Sequence, residues 1–337
     1  MTIRENVSLK NLNTFGIDSK AAFFTEVASM DDVREIISDK EFSTTKKLIL
    51  GGGSNILFTE DFDGMVIKNS FKGISVENEN DEHVFVTAGA GENWHKFVLH
   101  CIASNYAGIE NLSLVPGNVG AGPMQNIGAY GVELKDVFYE LQAFEIATGE
   151  LIRFSAADCN FGYRESVFKN KYREKFIITS VTLRLNKTPK FDTTYGAIEQ
   201  ELEKMGVKEL SIAAISMAVC NIRSSKLPDP KQIGNAGSFF KNPVVSNELF
   251  QKIKSNYQDV VGYPVGNEVK LAAGWLIEQC GWKGYRKDDF GVHMNQALVL
   301  VNYGNAKGSD IYNLSGEVMD SVQKKFGVTL EREVNIV

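Results

Sequence analysis

Apolar residues at helical spacing and short apolar runs alternate along the first part of the chain. Ser29 precedes a segment with apolar Val33 and Ile36, the pattern of a capped amphipathic helix. A buried-strand run at Leu48–Leu50 then enters the sequence GGGSN, and Met65–Ile67 predicts another strand. These elements predict a small α/β unit built around a glycine-rich turn.

From about residue 70 the pattern becomes strand-rich, and from about residue 197 it becomes mostly helical. Apolar positions at helical spacing within 97–102 predict a helix in the strand-rich part. The other predicted strands are His83–Val86, a hairpin over Leu141–Phe154, Ile177–Leu185, Ala297–Val301 and Val328–Val337. The other predicted helices are Ser211–Cys220, Asn247–Tyr257, Leu271–Cys280 and Ser309–Phe326. This pattern predicts an α+β protein, and three domains fit it best.

Length, charge and cysteine content narrow the class of protein. The chain has 337 residues, more than a single hydrophobic core usually serves, so two or three domains are expected. Its net charge is −6 with no block of Lys and Arg, which argues against a nucleic acid or an anionic membrane as partner. No apolar run reaches the length of a membrane helix, and the first residues lack the apolar core of a signal peptide. The four widely spaced cysteines favour free thiols, so we expect a cytoplasmic protein.

Two glycine-rich segments are the first candidates for chemistry. Gly51–Gly53 follows a predicted strand, and its bare backbone either cradles a pyrophosphate or forms an ordinary glycine turn. The second segment, PGNVGAGPMQNIGAYG at 116–131, is a long irregular loop that suits a flat ring system or a diphosphate. The sequence contains neither GxGxxG nor the P-loop pattern, so the usual ways of binding a nicotinamide dinucleotide or ATP are excluded.

These segments carry a resemblance to a known family. LILGGGSN, LVPGNVGAGPMQNIGAYG and CNFGYRES resemble the FAD-binding domain of the vanillyl-alcohol-oxidase type, and within it the MurB family of UDP-N-acetylenolpyruvoylglucosamine reductases. The matching segments that complete the resemblance are NTFG at 13–16, KLPDP at 226–230, GNAGSFFKNP at 234–243, KLAAGWLIEQCGWKG at 270–284, HMNQALVLVN at 293–302 and LEREV at 330–334. They follow one another in family order over nearly the whole chain.

The resemblance implies an α+β fold of three domains. Two of them, over 1–69 and 70–196, would form an FAD-binding module of the PCMH type that spans about 17–188. A substrate-binding domain would cover 197–327, and a terminal segment, 328–337, would carry Glu333 and pack back near the first domain. Tyr195 lies in a stretch that resembles the tyrosine-bearing loop of the family's type I members.

The activity implied by the resemblance is the reduction of an enolpyruvyl ether on a UDP-sugar to UDP-N-acetylmuramate. NADPH would be the reductant and noncovalent FAD the cofactor. Covalent relatives carry a linking histidine in the glycine-rich segment, whereas Ser54 stands after the glycines here. The reaction needs a flavin holder, a stabiliser for negative charge on the substrate carboxylate, and an acid that protonates C2.

Three residues are implied as catalytic. Arg164 would bind the carboxylate, because a guanidinium is always charged and can donate two parallel hydrogen bonds. Ser238 would protonate C2, and Glu333 would stand beside the developing charge with a raised pKa. Without the resemblance, each has an ordinary alternative: a surface ion pair, a turn residue and a solvated strand glutamate. Many family members carry Pro where this chain has Arg332.

The resemblance also implies binding residues for the cofactor and the substrate. The residues expected to hold FAD are Gly51, Gly52, Gly53, Ser54, Asn55, Gly117, Gly120, Gly122, Gln125 and Asn126. Those expected to hold the UDP-sugar are Tyr130, Tyr163, Tyr195, Arg223, Lys226, Asn242, Tyr263, Lys283 and Gln296.

Two other functions remain open at this stage. An alcohol or sugar oxidase on the same flavin fold would reduce oxygen and would not need Ser238 or Glu333. A sugar-nucleotide-binding regulatory protein would have lost the catalytic residues, which are intact here. We expect a monomer that contacts neither nucleic acid nor membrane, and no metal site.

Overall fold

The computed structural model describes residues 1–195 and 197–337 in full, and residue 196 only as part of a helix. The strands, labelled β1 to β20 in chain order, are Arg4–Ser8, Lys20–Val27, Lys47–Leu50, Ile56–Leu57, Phe62–Asn69, Ile74–Glu79, His83–Gly89, Gly128–Ala129, Val132–Glu133, Phe138–Glu145, Leu151–Ser155, Phe176–Asn186, Gly234–Asn235, Val244–Ser246, Gly262–Val265, Glu268–Leu271, Arg286–Lys287, Phe290–Val292, Leu300–Asn302 and Asn335–Ile336. The α-helices, labelled α1 to α8, are Met30–Ser38, Trp94–Ala103, Ala156–Cys159, Gly196–Lys204, Ile212–Lys226, Asn247–Asn256, Ala273–Gln279 and Gly308–Phe326.

The chain forms two compact units, each assembled from three stretches of sequence. Unit 1 contains Met1–Val7, Ala21–Gly53 and Asp63–Ser225. Unit 2 contains Ser8–Lys20, Ser54–Phe62 and Lys226–Val337. The three-domain division expected from the sequence is finer than this one and stays a prediction, and its boundary residue 196 lies outside the fully described residues.

Unit 1 is built on two sheets with a helix packed on each. A four-stranded sheet has the order β1-β2-β5-β3, in which β3 and β5 are parallel. A five-stranded antiparallel sheet has the order β11-β10-β12-β7-β6. Helix α1 begins at the predicted cap, where Ser29 and Asp32 exchange side-chain and backbone hydrogen bonds. Its residues Val33 and Ile36 are fully buried, as their spacing predicts.

The core of unit 1 joins both sheets. Trp94 and Phe97 of α2 pack with the inner faces of β7, β10 and β12, and Trp94 Nε1 donates to Leu112 O at 2.9 Å. A second cluster packs α1 and β5 against Phe144 and Ile177 of the five-stranded sheet. These two apolar clusters support the elements that flank the glycine-rich turn after β3 and the glycine-rich loop after α2.

Unit 2 combines small sheets with the longest helix. Its sheets have the orders β13-β19-β18-β17 and β14-β16-β15, and β20 pairs in parallel with β4. Helix α8 buries one face at Ile311, Leu314, Val318 and Val322, the positions that the sequence pattern makes apolar. Helix α8 ends in a glycine C-cap, in which Gly327 adopts a left-handed φ of 70° and its N–H donates to Gln323 O.

Most predicted elements are confirmed, one predicted strand is much shorter than expected, and several short elements were missed. The hairpin over Leu141–Phe154 exists as β10 and β11, and α5, α6, α7 and α8 lie where helices were predicted. The terminal strand predicted over Val328–Val337 is instead a single bridge at Arg332 and the two-residue β20. The elements that were not predicted are β1, β2, β4, β6, β8, β9, β13 to β18, α3 and α4. They have two to nine residues each, and segments of that length carry little periodicity.

Among the residues that the structure describes, no helix combines the length and the apolar character needed to cross a membrane. Within the same residues, no group of three or more His, Cys, Asp or Glu side chains is arranged to hold a metal ion.

Two glycines of α8 predict opposite effects of the same substitution. A β-carbon on Gly308 would lie 1.7 Å from Phe58 O, whereas one on Gly316 meets only Arg332 Nη2 at 3.8 Å. We expect Gly308→Ala to lower the free energy of unfolding by about 3 kcal/mol through overpacking. Gly316→Ala should raise it by about 0.5–1 kcal/mol, because alanine loses less backbone entropy in a helix. Urea unfolding followed by near-ultraviolet circular dichroism measures both, and equal effects would contradict the packing argument.

Candidate active site

The two glycine-rich segments meet in unit 1. A β-carbon on Gly52 would lie 3.0 Å from the Cα of Gly117 and 3.1 Å from Asn118 Oδ1. A β-carbon on Gly51 would find only Asn118 Cβ, at 3.8 Å. Gly53 follows with a left-handed φ of 63°. The turn after β3 therefore runs against the loop at a distance that any side chain on Gly52 would prevent.

Within the loop, the predicted cofactor residues differ in what they do. Gly120 N donates to Ala90 O at 2.9 Å, and its β-carbon would clash with Ala90 Cβ at 2.5 Å. Gly122 N donates to Val119 O at 3.0 Å, and Gln125 is half-buried beside the fully buried Asn126. These glycines shape the loop by close packing, while a role in holding FAD stays a prediction for each residue.

Asn126 supports the loop from inside. Its Nδ2 donates to Glu133 Oε2 and to Gly162 O, each at 3.0 Å, and its Oδ1 accepts from Lys135 N at 3.0 Å. Its backbone φ is 46°, an uncommon left-handed conformation for a residue with a side chain. The amide thus joins three segments of unit 1, including the turn that carries Arg164.

Arg164 stands at the tip of a tight turn. Gly162 and Glu165 form a bridge with hydrogen bonds of 3.0 and 3.3 Å, and Arg164 between them has a φ of 55°. Its Nη2 donates to Gly128 O at 2.8 Å, and the guanidinium lies 5.5 Å from the ring centroid of the partly exposed Tyr163. The turn therefore aims the charge of Arg164 at the second half of the glycine-rich loop.

Arg223 on α5 adds a second positive charge to the same place. Burial lowers its pKa, and the charge of Arg164 acts in the same direction, so the two guanidinium groups lie close enough to repel each other. Both stay charged, because an arginine is not deprotonated in proteins. Arg223 is half-buried, and its Nε atom is buried with no hydrogen-bond partner among the described residues. An anionic ligand would relieve this repulsion and satisfy the buried donor.

Two tyrosines flank this cationic pair. The rings of Tyr130 and Tyr195 pack edge to face with centroids 5.3 Å apart. Burial raises the pKa of Tyr130, an effect that the nearby charge of Arg223 partly offsets. Tyr195 precedes α4 and is 51% exposed. Unit 1 therefore brings together Arg164, Arg223, Tyr130 and Tyr195 out of the predicted substrate and catalytic residues.

Ser238 and Glu333 belong to unit 2, where the terminal segment lies along the strand-like stretch after β13. Glu333 N donates to Phe239 O at 2.8 Å, and Lys241 N donates to Glu331 O at 2.9 Å, around a bridge between Phe240 and Arg332. Ser238, half-buried, immediately precedes this ladder and follows Gly237, whose φ is 69°. The backbone that carries the predicted acid thus lies beside the predicted glutamate.

Arg332 points away from Glu333. Its Nε donates to Ser315 Oγ of α8 at 2.7 Å, and its guanidinium lies 4.5 Å from the ring centroid of Tyr312. Because successive side chains of an extended segment point to opposite sides, Glu333 lies on the other side from Arg332. The flanking bonds of the bridge come from residues 241 and 333, so the N–H of Arg332 takes no part in the ladder. A proline at this position in relatives would therefore cost no ladder hydrogen bond.

Ser54 and Asn55 also belong to unit 2, directly after the glycine turn. Asn55 Nδ2 donates to Glu333 O at 3.2 Å, and Asn55 O accepts from Asn335 N at 3.1 Å. Ser54 is half-buried in the turn that leads into β4. Within unit 2, Asn55 thus anchors the terminal segment that carries Glu333.

Two predicted amides of unit 2 meet at the start of α7. Asn242 Oδ1 accepts from Ala273 N at 3.0 Å and so caps a helix whose N-cap residue, Ala272, provides no side-chain cap. Gln296 Oε1 accepts from Leu298 N at 3.3 Å, and it would lie 3.2 Å from a β-carbon on Gly274. The remaining predicted residues of unit 2, Lys226, Tyr263 and Lys283, are exposed, and Lys283 pairs with Glu278 at 2.8 Å.

Sequence reasoning missed two residues beside the arginine pair. His95 Nδ1 accepts from Leu114 N at 2.9 Å, and the histidine lies near Arg223. Asn111 is buried behind Tyr130. No local pattern in the sequence marks either residue as part of a site.

The geometry of unit 1 fits an FAD. The turn and the loop form a cradle that a β-carbon on Gly52 would crowd, and Arg164 holds the second half of the loop at Gly128 O. Backbone so exposed and closely approached suits a pyrophosphate and a flat ring. The fold and this cradle define a flavin-binding oxidoreductase class, and comparison with known proteins agrees. A family profile described as "FAD binding domain" matches residues 21–155.

The comparisons also identify the particular family. A profile for the UDP-N-acetylenolpyruvoylglucosamine reductase C-terminal domain matches residues 229–337. A UDP-N-acetylenolpyruvoylglucosamine reductase of Flavobacterium johnsoniae is 52% identical over the full length of both chains. The chain therefore belongs to the UDP-N-acetylenolpyruvoylglucosamine reductase family. This confirms the resemblance found in the sequence, and with it the enzyme class, an FAD-dependent oxidoreductase.

Solved structures confirm the fold class. The UDP-N-acetylenolpyruvylglucosamine reductase of Thermus caldophilus is similar with a TM-score of 0.69 and 22% identity, over 99% of each chain. p-Cresol methylhydroxylase is similar with a TM-score of 0.51 and 10% identity, over 97% of this chain and 84% of its own. The predicted α+β fold with a PCMH-type flavin module is confirmed.

The environment of His95 predicts an acid sensitivity. Burial, and then the charge of Arg223, lower the pKa of His95 below its ordinary value of 6.5. Between these two pKa values the unfolded chain binds more protons than the folded one, so stability is lost as the pH falls through this range. His95→Asn keeps an acceptor for Leu114 N–H but cannot be protonated. Its melting temperature should therefore fall less steeply than that of the wild type between about pH 7 and pH 5.

The exposed His100 of the same helix provides the matched control. His100→Asn should keep the wild-type slope of melting temperature against pH. If His95→Asn also keeps it, the histidine does not titrate between the folded and unfolded states as argued.

Proposed function

We propose that this chain reduces UDP-N-acetyl-3-O-(1-carboxyvinyl)-glucosamine to UDP-N-acetylmuramate, with NADPH as reductant and noncovalently bound FAD, in peptidoglycan precursor synthesis. The observation that carries the proposal is the convergence of Arg164 and Arg223 beside two tyrosines in the FAD-binding unit. In this protein of net charge −6, keeping two guanidinium groups close together costs free energy because they repel each other, and a bound anion would offset that cost. The substrate carries both a carboxylate and a diphosphate.

Arg164 is the proposed stabiliser of the reacting carboxylate. A bound FAD would supply hydride chemistry with NADPH as the reductant, and hydride addition to C3 of the enolpyruvyl group would place negative charge at C2 and in the adjacent carboxylate. A guanidinium oriented by its hydrogen bond to Gly128 O suits this carboxylate, because it is always charged and can donate two parallel hydrogen bonds. Its left-handed backbone supports the assignment, because strain of this kind concentrates at functional sites.

Ser238 is the proposed proton donor to C2, and Glu333 is proposed to stand beside the charge. Gly237 before Ser238 gives the hydroxyl room to approach a ring, and the buried Phe239 after it anchors the segment. The ladder from Glu333 N to Phe239 O holds the two residues on neighbouring backbones. A carboxyl group that faces a substrate carboxylate has to be protonated or water-bridged, which implies a raised pKa for Glu333.

The remaining predicted residues are proposed to bind the UDP-sugar and the flavin as the resemblance implies. Asn242 and Gln296 support this because their amide groups both lie near the start of α7, where their N–H groups can donate hydrogen bonds to a polar ligand. We also propose the three-domain division, a monomeric state and a cytoplasmic location, where NADPH and UDP-sugars are available.

The proposed function predicts a two-step colour change. Purified protein should be yellow and should release its FAD on acid or heat denaturation, because Ser54 rather than a histidine follows the three glycines. NADPH should bleach the flavin under anaerobic conditions. The enolpyruvyl UDP-sugar should then restore the flavin absorbance within the turnover time.

Each failure of this experiment has a distinct meaning. Flavin that stays attached through denaturing gel electrophoresis would refute noncovalent binding. Reoxidation by oxygen but not by the enolpyruvyl substrate would indicate an oxidase. Colourless protein that FAD cannot reconstitute would refute the flavin site itself.

The role of Ser238 predicts different effects on the two half-reactions. Reduction of the flavin by NADPH needs no proton at C2, so Ser238→Ala should leave its rate within a few-fold of wild type. Reoxidation by the enolpyruvyl substrate should slow by about 10²–10⁴-fold, the usual cost of losing a positioned general acid. Stopped-flow absorbance measures each half-reaction alone.

Ser238→Cys is the matched variant. A thiol has similar reach and greater acidity, so it should recover part of the reoxidation rate that alanine loses. If flavin reduction collapses in Ser238→Ala while reoxidation survives, Ser238 positions the cofactor and Glu333 becomes the candidate proton donor.

A further inference from the structure

Asn111 makes an unusual pair of hydrogen bonds. It lies in a single turn of 3-10 helix over Glu110–Leu112 and is only 2% exposed. Its Nδ2 donates to Tyr130 O at 2.9 Å and to Asp192 O at 2.9 Å. Both hydrogens of one amide nitrogen are therefore used, and they join two loops that are far apart in sequence.

Each of the two carbonyls belongs to a segment that carries a tyrosine of the candidate site. Tyr130 has a left-handed φ of 50°, which a bulky residue rarely adopts, and the bond from Asn111 holds its peptide in that orientation. Asp192 begins the turn that leads to Tyr195, since its Oδ1 accepts from Thr194 N at 3.1 Å and from Thr194 Oγ1 at 2.7 Å. Asn111 therefore fixes the backbones of both tyrosine segments.

The two segments also touch directly. A β-carbon on Gly131 would lie 3.0 Å from Asp192 Oδ2, so the segment after Tyr130 passes close to Asp192. The rings of Tyr130 and Tyr195 then meet edge to face at 5.3 Å. Their spacing depends on the distance between the two loops, and Asn111 sets that distance.

A short primary amide is the one side chain that can do this in the space available. Asparagine carries two N–H donors on one atom, serine and threonine carry a single O–H, and ionised aspartate carries none. At a buried position, a carbonyl that loses its donor keeps the full cost of desolvation. Replacing the amide would therefore favour separation of the loops, so that water could reach the carbonyls.

We propose that Asn111 is a positioning residue that sets the spacing of Tyr130 and Tyr195 and thereby the affinity for the uridine diphosphate part of the substrate. This inference rests on the proposed function, because it assigns the tyrosine pair to that ligand. Asn111 bonds to the glycine-rich loop only at Tyr130, near the end of the loop, and not at Gly117, where the loop meets Gly52, so we expect the reaction of the flavin with NADPH to change little when Asn111 is replaced.

The test is the dissociation constant for UDP, measured by isothermal titration on the FAD-loaded protein. In Asn111→Asp the shape is kept and both donors are lost, so the constant should rise about tenfold or more. Asn111→Ser keeps one donor and should have an intermediate effect. FAD content and the rate of anaerobic bleaching by NADPH should stay within a few-fold of wild type in both variants.

Two comparisons separate positioning from a general loss of stability. Asn69 is another buried amide of unit 1, with Nδ2 donating to Ile178 O at 2.7 Å, and Asn69→Asp should leave UDP binding unchanged. In a double-mutant cycle, Asn111→Asp should add little to the effect of Tyr195→Ala, because both act through the same ring. A merely structural role would give additive effects.

The outcomes that overturn the inference are specific. Unchanged UDP affinity in both Asn111 variants, an equal loss in Asn69→Asp, or additivity with Tyr195→Ala would each refute it while leaving the proposed function intact. A wild-type protein that fails to bind UDP and is not reoxidised by the enolpyruvyl substrate would refute the proposed function, and the inference with it.

Discussion

The close approach of two glycine-rich segments is the constraint on which the flavin-binding unit depends. The Cα of Gly117 lies where a side chain on Gly52 would need room, and Gly120 packs so tightly on Ala90 that it has no space for a methyl group. Neither segment is regular, so each needs a rigid support. Two apolar clusters supply it, one between α2 and the five-stranded sheet and one that joins α1 and β5 to that sheet. This support leaves the loop free to expose its backbone rather than its side chains.

Strain and charge concentrate at the far end of the same loop. Asn126, Tyr130 and Arg164 all have left-handed backbones, and Arg164 and Arg223 repel each other. Such features persist only where the surrounding structure holds them in place. The buried amides of Asn126 and Asn111 do so by donating to backbone carbonyls of neighbouring segments. The unit therefore holds an arrangement that costs stability when empty and suits an anion.

Unit 2 holds Ser238 and Glu333 on neighbouring backbone segments. The last residues return to pair with β4 and with the segment after Ser238, so Glu333 is fixed by hydrogen bonds on both sides. Arg332 anchors the same segment to α8 through Ser315 and Tyr312. The proposed acid and its companion are thus held by backbone ladders and a helix rather than by a mobile chain end.

The sequence by itself determined the long elements, the family and the candidate residues. Helices such as α1 and α8 were predictable because caps and apolar spacing are local signals, and the glycine-rich motifs were recognisable because their composition is unusual. Only the tertiary structure decided that β20 is two residues long, that α4 exists, and that Arg223 joins Arg164. It also decided the part played by Asn111, whose two acceptors lie 19 and 81 residues away. Contacts at such separations depend on how the core brings loops together, and no local pattern encodes them.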